Sequence, residues 1–408
     1  MSPLFCRSCD APLESVVVDL GLSPLSNSYV TPELAKEGEM FLPLRVYVCD
    51  VCLLVQLQAF ETREHIFSNY AYLSSFSEGW LAHAATYVEA ATQRLGLGAT
   101  SLVVEVASND GYLLQYFVAR GVPVVGVEPA ANVARIAVER GVRSEILFFG
   151  KQTARELRAR FGAADLIVAN NVLAHVPDLH DFVAGFAGLL ADDGWVSAEF
   201  PHVLHLIEET QFDTIYHEHF CYYSLHAIEP VFARHGLAVV DVERLSTHGG
   251  SLRLWLRRTG RDSSSAAVDD LRAEERRAGL LERKTYLAYA PKVHAVKRDL
   301  LEFLIQAARE GKRVAAYGAP AKGNTLLNYC GIRTDMLAFT VDRNPLKQGS
   351  LLPGTRIPVF APERLLAERP DYVLILPWNI KDEIVAQMSN VRTWGGQFVI
   401  AIPQLSVE

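Results

Sequence analysis

Apolar residues in this chain occur in short runs that alternate with amphipathic segments, and the alternation is found in two separate stretches. In the first stretch, an amphipathic helix is predicted at 78–95, where apolar residues recur at helical intervals. Four apolar runs of strand length follow it, at 102–106, 124–128, 165–171 and 195–200. Strands that alternate with helices predict a parallel doubly wound sheet with a ligand at the carboxyl ends of its strands.

The second stretch begins at Lys312 and repeats this pattern. Its apolar runs predict strands at 313–317, 339–342, 372–379 and 398–402. Residues 262–310 lie between the two stretches and are rich in arginine, glutamate and alanine with helical periodicity, which predicts a helical connector interrupted at Pro291. The pattern favours an α/β protein divided into residues 1–66, 67–260 and 261–408.

Composition is that of a globular protein. The 408 residues are 50% hydrophobic and 21% charged, and the length suits two or three domains. A net charge of −8 argues against a nucleic-acid-binding surface. Because the first residues lack the pattern of a signal peptide and no run is long and apolar enough to cross a membrane, we expect a cytoplasmic protein without a membrane partner.

Four of the six cysteines form two C-x-x-C motifs, Cys6 with Cys9 and Cys49 with Cys52. Two such motifs supply the four thiolates of a tetrahedral zinc site. Protein ligands would fill every coordination position, so the metal is expected to fold residues 1–66 and not to react. The segment between the motifs must then loop out. Two unrelated pairs of buried thiols are the alternative.

The turn after the first predicted strand favours a nucleotide-like ligand. Glu105 lies in the strand, the turn runs from Ala107 to Gly111, and the second strand ends at Glu128. A single glycine in the turn argues against a pyrophosphate cradle, whereas the terminal acid lies where a carboxylate accepts from ribose hydroxyls. These features fit S-adenosylmethionine (SAM) better than NAD.

Residues 213–220 read Asp-Thr-Ile-Tyr-His-Glu-His-Phe and concentrate the side chains used in general acid–base catalysis. If this segment is helical, Tyr216 and His219 share a face while Glu218 points elsewhere. A metal site at His217 and His219, or a hydrogen-bonded core cluster, are the alternatives. His175 follows a strand end, where a histidine either faces a substrate or is merely solvated.

Two glycine turns complete the candidate chemistry. Residues 248–251 open a strand at 252–256 and suit a turn or a close ligand approach. Residues 318–324 precede a helix predicted to open at 325–329, and Lys322 within them adds a charge suited to phosphate. A lysine that is simply exposed is the alternative there.

Taken in order, four motifs resemble those of the nucleotide-sugar C-methyltransferases of deoxysugar biosynthesis. They are the paired C-x-x-C, Glu105 with Asn109-Asp110-Gly111, Tyr216 to Phe220, and Gly318 to Asn324. The resemblance covers essentially the full length of the chain. It is strongest to the C-3 methyltransferases that act on dTDP-4-keto sugars, as in the branched sugars of antibiotics. One departure is Ala107, where such families usually have glycine.

The resemblance implies a class I methyltransferase (Rossmann-like) domain that binds SAM, followed by a second Rossmann-like domain, with the substrate between the two. His219 would be the general base, with Tyr216, Glu218, His175 and Tyr70 around the reacting sugar. The residues expected to bind SAM are Glu105, Ala107, Asn109, Asp110, Gly111, Glu128, Pro129, Asn170 and Asn171. Those expected to bind the substrate are Tyr72, His248, Gly318, Lys322, Asn324, Trp378 and Asn379.

The expected reaction is removal of a proton from the carbon beside a ketone, enolate formation and methyl transfer in antibiotic deoxysugar biosynthesis. An O- or N-methyltransferase on a nucleotide sugar is one rival, and an NAD-dependent sugar oxidoreductase is another. A zinc-dependent interaction protein that senses SAM is a third, non-enzymatic rival. The oligomeric state stays open, and a monomer is compatible with the sequence.

Overall fold

The computed structural model describes residues 4–67 and 73–408. Within these residues the strands form three sheets, of four, seven and six strands. The two larger sheets belong to the α/β units expected from the sequence, and the four-stranded sheet belongs to the N-terminal module. The α/β fold with an N-terminal module is therefore confirmed.

The N-terminal module combines the two cysteine motifs with a small antiparallel sheet. Its elements are β1 (Ser15–Ser23), β2 (Leu42–Val48), β3 (Val55–Leu57) and α1 (Arg63–Phe67). The four sulfur atoms of Cys6, Cys9, Cys49 and Cys52 lie within 4.8 Å of one another. Gln56 Nε2 donates to Cys6 Sγ over 3.1 Å, which is a contact that a thiolate favours. This cluster has the ligands and spacing of a structural zinc site.

Residues 24–41, between β1 and β2, leave the module and cross to the C-terminal domain, so the segment between the cysteine motifs does loop out. Val30 forms a β-bridge with Leu351, and Arg356 forms a 2.7 Å ion pair with Glu39. The Tyr29 hydroxyl donates to the carbonyl of Ala319. The module is therefore packed against both α/β domains and has no core of its own among the described residues.

The middle domain begins with the helix predicted at 78–95. Its helices are α2 (Glu78–Leu95), α3 (Leu114–Val118), α4 (Ala131–Glu139), α5 (Lys151–Phe161), α6 (Leu179–Leu189), α7 (Val203–Glu208) and α8 (Leu225–Arg234). Its strands are β4 (Val103–Val106), β5 (Val124–Val127), β6 (Ser144–Glu145), β7 (Ala164–Asn170), β8 (Leu190–Pro201), β9 (Cys221–Tyr222), β10 (Leu237–Leu245) and β11 (Ser251–Arg258). Strand β9 leaves this domain's sheet and pairs with β3 of the N-terminal module.

The sheet of the middle domain has the order β10-β11-β8-β7-β4-β5-β6. Strands β8, β7, β4, β5 and β6 are parallel, as expected. The expectation of a wholly parallel sheet is wrong at one edge, because β10 and β11 form a hairpin and join β8 in antiparallel pairing. The glycine turn at 248–251 closes that hairpin, which is its structural role.

The connector consists of α9 (Ala266–Arg277), α10 (Arg283–Leu287) and α11 (Ala290–Arg309). The predicted interruption at Pro291 is misplaced, because Pro291 lies in the first turn of α11, where proline is tolerated. The helix is interrupted before Pro291, at residues 278–282 and 288–289, on either side of α10. Glu275 of α9 is fully buried and accepts from His202 and from the N–H groups of Leu225 and His226, so the connector is tied to the middle domain.

The C-terminal domain repeats the parallel part of the middle domain. Its elements are β12 (Val314–Tyr317), α12 (Ala321–Cys330), β13 (Thr340–Val341), β14 (Val359–Phe360), α13 (Glu363–Glu368), β15 (Tyr372–Ile375), α14 (Lys381–Gln387), β16 (Gln397–Ile400) and β17 (Ser406–Val407). The sheet order β14-β13-β12-β15-β16 matches β6-β5-β4-β7-β8 strand for strand, and both sets are parallel. Helix α12 begins before the predicted 325–329, which moves Lys322 from a loop onto its first turn.

None of the helices in the described part of the chain is both long enough and apolar enough to span a membrane.

We expect zinc to be required for the N-terminal module to fold. A four-thiolate site contributes on the order of 10 kcal/mol of binding free energy, which is comparable with the stability of a whole domain. Replacement Cys49→Ser should remove zinc from the purified protein, measured by elemental analysis, and lower its thermal transition.

Cys330→Ala is the matched control, because Cys330 is also buried but lies outside the cluster. That variant should keep its zinc. A wild-type protein that contains no zinc, yet melts at the same temperature with and without a chelator, would contradict the assignment.

Candidate functional site

A cavity of about 930 Å³ lies where the carboxyl ends of the strands of both α/β domains meet. Residues that follow β4, β5 and β7 line one end of it, and residues that follow β12, β13 and β15 line the other. His175, Tyr216, His219 and His248 line the region between the two ends. One cavity therefore connects the parts that the sequence analysis assigned to two different ligands.

At the middle-domain end, six of the nine residues expected to bind SAM line the cavity. They are Ala107, Asn109, Glu128, Pro129, Asn170 and Asn171. The Glu128 carboxylate accepts from the N–H groups of Asn109 at 3.0 Å and Ala130 at 2.8 Å, which fixes the turn against the second strand. Burial raises the pKa of Glu128 to about 7, although these two bonds oppose the shift.

The other three predicted SAM contacts lie behind the cavity wall. Asp110 forms a 2.9 Å ion pair with Arg140, and Gly111 has a φ of 79° and packs so tightly that an added Cβ would lie 3.0 Å from Val142. Burial raises the pKa of Glu105 well above its usual value. These three residues shape the turn and are not among the residues that line the cavity, so their contact with the cofactor stays a prediction.

The polar atoms around this end fit a ligand that carries hydroxyl and amino groups. The side-chain oxygen of Asn170, both polar atoms of the Asn171 side chain and Glu105 Oε2 are buried without a hydrogen-bond partner among the described residues. Buried polar groups are normally satisfied. Ala107, Asn109 and Asn171 have φ values of 58°, 49° and 53°, the strained backbone typical of functional turns. SAM supplies groups that would satisfy the side chains of Asn170 and Asn171, which line the cavity.

The segment at 213–220 forms a turn. The sequence analysis placed Tyr216 and His219 on one face only if this segment were helical. A short 3-10 helix, Phe212–Thr214, covers its first two residues, and the N–H of His219 donates to the carbonyl of Tyr216 over 2.9 Å. This turn still brings the two rings together, with their centroids 4.0 Å apart. The expected pairing of Tyr216 and His219 is therefore present, although its backbone geometry differs.

Two main-chain carbonyls set the tautomers of the cavity histidines. His219 Nδ1 lies 2.8 Å from the carbonyl of Thr214, and His175 Nδ1 lies 2.9 Å from the carbonyl of Glu218. A carbonyl only accepts, so each Nδ1 carries the proton and each Nε2 presents a lone pair. The two imidazole centroids are 4.8 Å apart.

Both imidazoles are held in the neutral form. Burial holds the pKa of His219 well below its usual value, and electrostatic repulsion between its charged form and Lys322 lowers it further, against the effect of the Thr214 carbonyl. Burial lowers the pKa of His175 to about 4. A neutral imidazole with its Nδ1 proton engaged is a base or an acceptor at Nε2.

The other acid–base candidates of this turn have structural partners. Glu218 is buried and accepts at Oε1 from Asn27 Nδ2 over 2.7 Å, so a residue of the N-terminal module holds it. His217 Nε2 lies 3.2 Å from the carbonyl of Pro43. Among the described residues the cysteine cluster alone has the spacing of metal ligands, and the alternative metal site at His217 and His219 is not found. Tyr70 and Tyr72 lie outside the described residues.

At the C-terminal end, Gly318, Lys322 and Asn379 line the cavity, as expected for substrate contacts. Lys322 Nζ donates to Asn379 Oδ1 over 2.7 Å and lies 4.8 Å from the centroid of the Trp378 ring. Trp378 Nε1 donates to Asp213 Oδ2 over 2.7 Å. Trp378 therefore links the C-terminal domain to the start of the turn at 213–219 and is not among the residues that line the cavity.

Asn324 is likewise structural, because it is buried and its Nδ2 donates to the carbonyl of Ser26 over 2.7 Å. His248 does line the cavity, beside Trp80 at a ring-centroid distance of 5.1 Å. Burial lowers the pKa of His248 to about 4, with a further contribution from Lys322. His248 has a φ of 54°, so a conformation that is costly for a histidine holds it at the cavity wall.

Asp342 is a site residue that the sequence analysis did not propose. It follows β13 as Glu128 follows β5, and it accepts from the N–H groups of Ala319 at 2.7 Å and Asn344 at 2.8 Å. Glu128 makes the same pair of bonds in the middle domain. The signal was the acid at the end of the strand, which was visible in the sequence. Arg343 and Lys347 line the same end of the cavity and were also missed.

Comparisons with known proteins agree with this architecture. Three domain models match the chain: a zinc-binding domain at residues 6–67, a methyltransferase domain at 80–242 and a C-methyltransferase C-terminal domain at 246–403. The C-methyltransferase NovU of Streptomyces niveus is 38% identical over 400 residues, which is 98% of this chain and 95% of that protein.

Solved structures resemble part of the chain. The SAM-bound magnesium protoporphyrin IX methyltransferase of Synechocystis has a TM-score of 0.33 and 16% identity, over 44% of this chain and 78% of that one. A SAM-dependent methyltransferase from Anabaena variabilis has a TM-score of 0.36 and 13% identity, over 43% of this chain and 84% of that one.

The domain models, the four-cysteine cluster and the full-length similarity to NovU agree in order and extent along the chain. The chain belongs to the SAM-dependent C-methyltransferases that carry an N-terminal zinc-binding domain and a C-terminal domain of their own.

Proposed function

We propose that this enzyme methylates a dTDP-4-keto-deoxysugar at the carbon beside its ketone, C-3 of the sugar, during antibiotic deoxysugar biosynthesis. The observation that carries the proposal is the base-competent Nε2 of His219 in a cavity that reaches the strand ends of both α/β domains. Methylation of carbon requires a carbanion, which an O- or N-methyltransferase does not need. A neutral imidazole poised at the centre of the cavity meets that requirement.

His219 would remove the proton from the carbon next to the ketone. Its Nδ1–H stays on the carbonyl of Thr214, which keeps the ring oriented and partly offsets the positive charge that the imidazole gains. The C–H electron pair becomes the double bond of an enolate, and the carbonyl oxygen takes the negative charge. General-base catalysis of this kind contributes a factor of about 10² to 10⁴ in rate.

The residues around His219 would orient the sugar. Tyr216, stacked beside His219, carries a hydroxyl that can donate to the substrate. His175 presents a lone pair at Nε2, so we assign it to accept from a sugar hydroxyl. Glu218 is held by Asn27 and is proposed to stabilise the turn that carries both histidines.

When bound, SAM supplies an electrophilic methyl group to the enolate carbon. The residues at the middle-domain end of the cavity would hold it, with Glu128 accepting from its ribose and Asn170 and Asn171 satisfying polar groups. The two domains would then align the methyl group and the carbanion, and this alignment is the main contribution that a protein makes to such a transfer.

The C-terminal end would take the nucleotide. Asp342 repeats the acid at the end of β5 and is placed to accept from the sugar of a nucleoside. Arg343 and Lys347 lie on the same side of the cavity and carry the positive charge that a diphosphate needs. The full-length similarity to a C-methyltransferase supports the methylation of carbon.

The substrate assignment is tested by mass analysis after incubation with SAM and a small panel of dTDP-4-keto sugars. We expect one sugar of the panel to become heavier by one methylene group, with the new methyl on carbon by nuclear magnetic resonance. A methyl on oxygen or nitrogen would favour the rival methyltransferase, and a change only with NAD would favour the oxidoreductase.

Replacement His219→Asn should lower two rates by a factor of about 10² to 10⁴. They are the rate of methyl transfer and the rate at which the sugar's α-proton exchanges with solvent deuterium. SAM binding, measured by calorimetry, should be retained, because His219 lies beyond the residues assigned to the cofactor. His217→Gln is the matched control, since His217 faces Pro43 and can be replaced there by an amide donor. Undiminished deuterium exchange in His219→Asn would remove His219 from the role of base.

The pH profile of kcat should carry the signature of the lowered pKa of His219. A base with a lowered pKa takes up a proton only below that pKa, so activity should persist as the pH falls through about 6.5, the usual histidine value. With SAM and sugar both saturating, the acidic limb of the profile should therefore lie below this value. An acidic limb centred above it would show that another group titrates in the rate-determining step.

A further inference from the structure

Enolate formation puts a negative charge on an oxygen inside the cavity, and neither neutral imidazole beside the reaction site has a proton on Nε2 to donate as the C–H bond begins to break. Both Nδ1 protons are engaged by carbonyls. The Tyr216 hydroxyl is a neutral donor and brings no charge. A cation near this turn would stabilise the enolate more strongly, because a charge-assisted hydrogen bond is roughly twice as strong as a neutral one.

Lys322 is such a cation. It lines the cavity, and its Nζ makes one hydrogen bond, to the neutral side chain of Asn379. In the described part of the chain no carboxylate lies within 4.0 Å of this ammonium group, so its charge is not cancelled by an ion pair. Burial lowers the pKa of Lys322, and the buried carboxylate of Asp213 opposes that shift.

Helix α12 directs Lys322 toward the catalytic turn. Thr325 lies three residues further along the helix, on the same face, and its hydroxyl donates to the carbonyl of Ile215 over 2.9 Å. Ile215 stands between Thr214, which holds His219, and Tyr216. The face of α12 that carries Lys322 is therefore in direct contact with the turn that carries the base.

The Trp378 indole connects Lys322 with both sides of the reaction site. Its face lies 4.8 Å from Lys322 Nζ, and its N–H binds Asp213 next to Thr214. Its far edge meets Gly249, where an added Cβ would lie 2.6 Å from the ring, and Gly249 follows His248. Trp378 therefore contacts Lys322, the turn that carries His219 and the loop that carries His248.

We propose that Lys322 is a further catalytic residue, an inference that rests on the function proposed above. Its ammonium group donates to the enolate oxygen while His219 holds the abstracted proton. The oxygen takes up the carbonyl electron pair as the C–H bond breaks. It returns that pair when the new carbon–carbon bond forms and the sulfonium–methyl bond breaks, with its electrons left on sulfur. The proton on His219 then passes to solvent. Lys322 keeps its own protons throughout.

The competing hypothesis is that Lys322 binds the diphosphate of the substrate. Lys347 fits that role better. Lys347 belongs to the loop after β13, beside Asp342 at 3.9 Å, and its Nζ donates to the carbonyl of Ala319 over 2.8 Å. Among the described residues, Lys347 makes no hydrogen bond or ion pair with the turn at 213–219. The two lysines are therefore a matched pair for mutation.

The test compares Lys322→Met with Lys347→Met. Lys322→Met should lower kcat and the rate of α-proton exchange about 10²- to 10³-fold, the loss typical for one oxyanion donor, with little change in the KM for the sugar nucleotide. Lys347→Met should raise that KM and leave kcat largely intact. Binding of dTDP and of SAM to each variant, by calorimetry, reports whether the two ligand sites are still folded.

Lys322→Gln serves as a second variant, because an amide can keep the hydrogen bond to Asn379 while losing the charge. If Lys322→Gln binds dTDP and SAM normally and exchanges the α-proton at the wild-type rate, or if it raises only the KM, the proposal is overturned. Absence of α-proton exchange in the wild-type enzyme would instead contradict the proposed function itself, so the two failures are distinguishable.

Discussion

The turn at 213–219, which carries His219, depends on hydrogen bonds from other parts of the chain, because it contains no regular helix or strand beyond its first two residues. Asn27 of the N-terminal module binds Glu218, Thr325 of α12 binds the carbonyl of Ile215, and Trp378 binds Asp213. Buried backbone and side-chain groups must find partners, and here the partners come from both flanking domains. The orientation of His219 is consequently a property of the whole assembled chain.

The two α/β domains contribute to the site in the same way. In each, the acid at the end of the second strand binds two N–H groups, one from the preceding glycine-containing turn and one just after the acid itself. The parallel strand orders match as well. Because the carboxyl ends of both sheets open into one cavity, two ligands that each suit such a turn can approach each other from opposite sides.

Local patterns predicted the elements of the fold well and the contacts of the site less well. The helix Glu78–Leu95 and the two cysteine motifs were visible in the sequence because periodicity and spacing are local properties. The turn around His219 was not, since its shape comes from Asn27, Thr325 and Trp378, which lie far from it in sequence. The same reason applies to Asp110 and Asn324, which were expected to contact ligands. In the structure Asp110 forms an ion pair with Arg140, and Asn324 donates to the carbonyl of Ser26.

The path of residues 24–41 has a consequence for the order of folding during synthesis. This segment pairs with Leu351 and binds Ala319 and Arg356, more than three hundred residues away along the chain in two of the three cases. Contacts between such distant residues form late, because the loop that they close is long and its closure costs entropy. Residues 24–41 can therefore make these three contacts only after Ala319, Leu351 and Arg356 have left the ribosome.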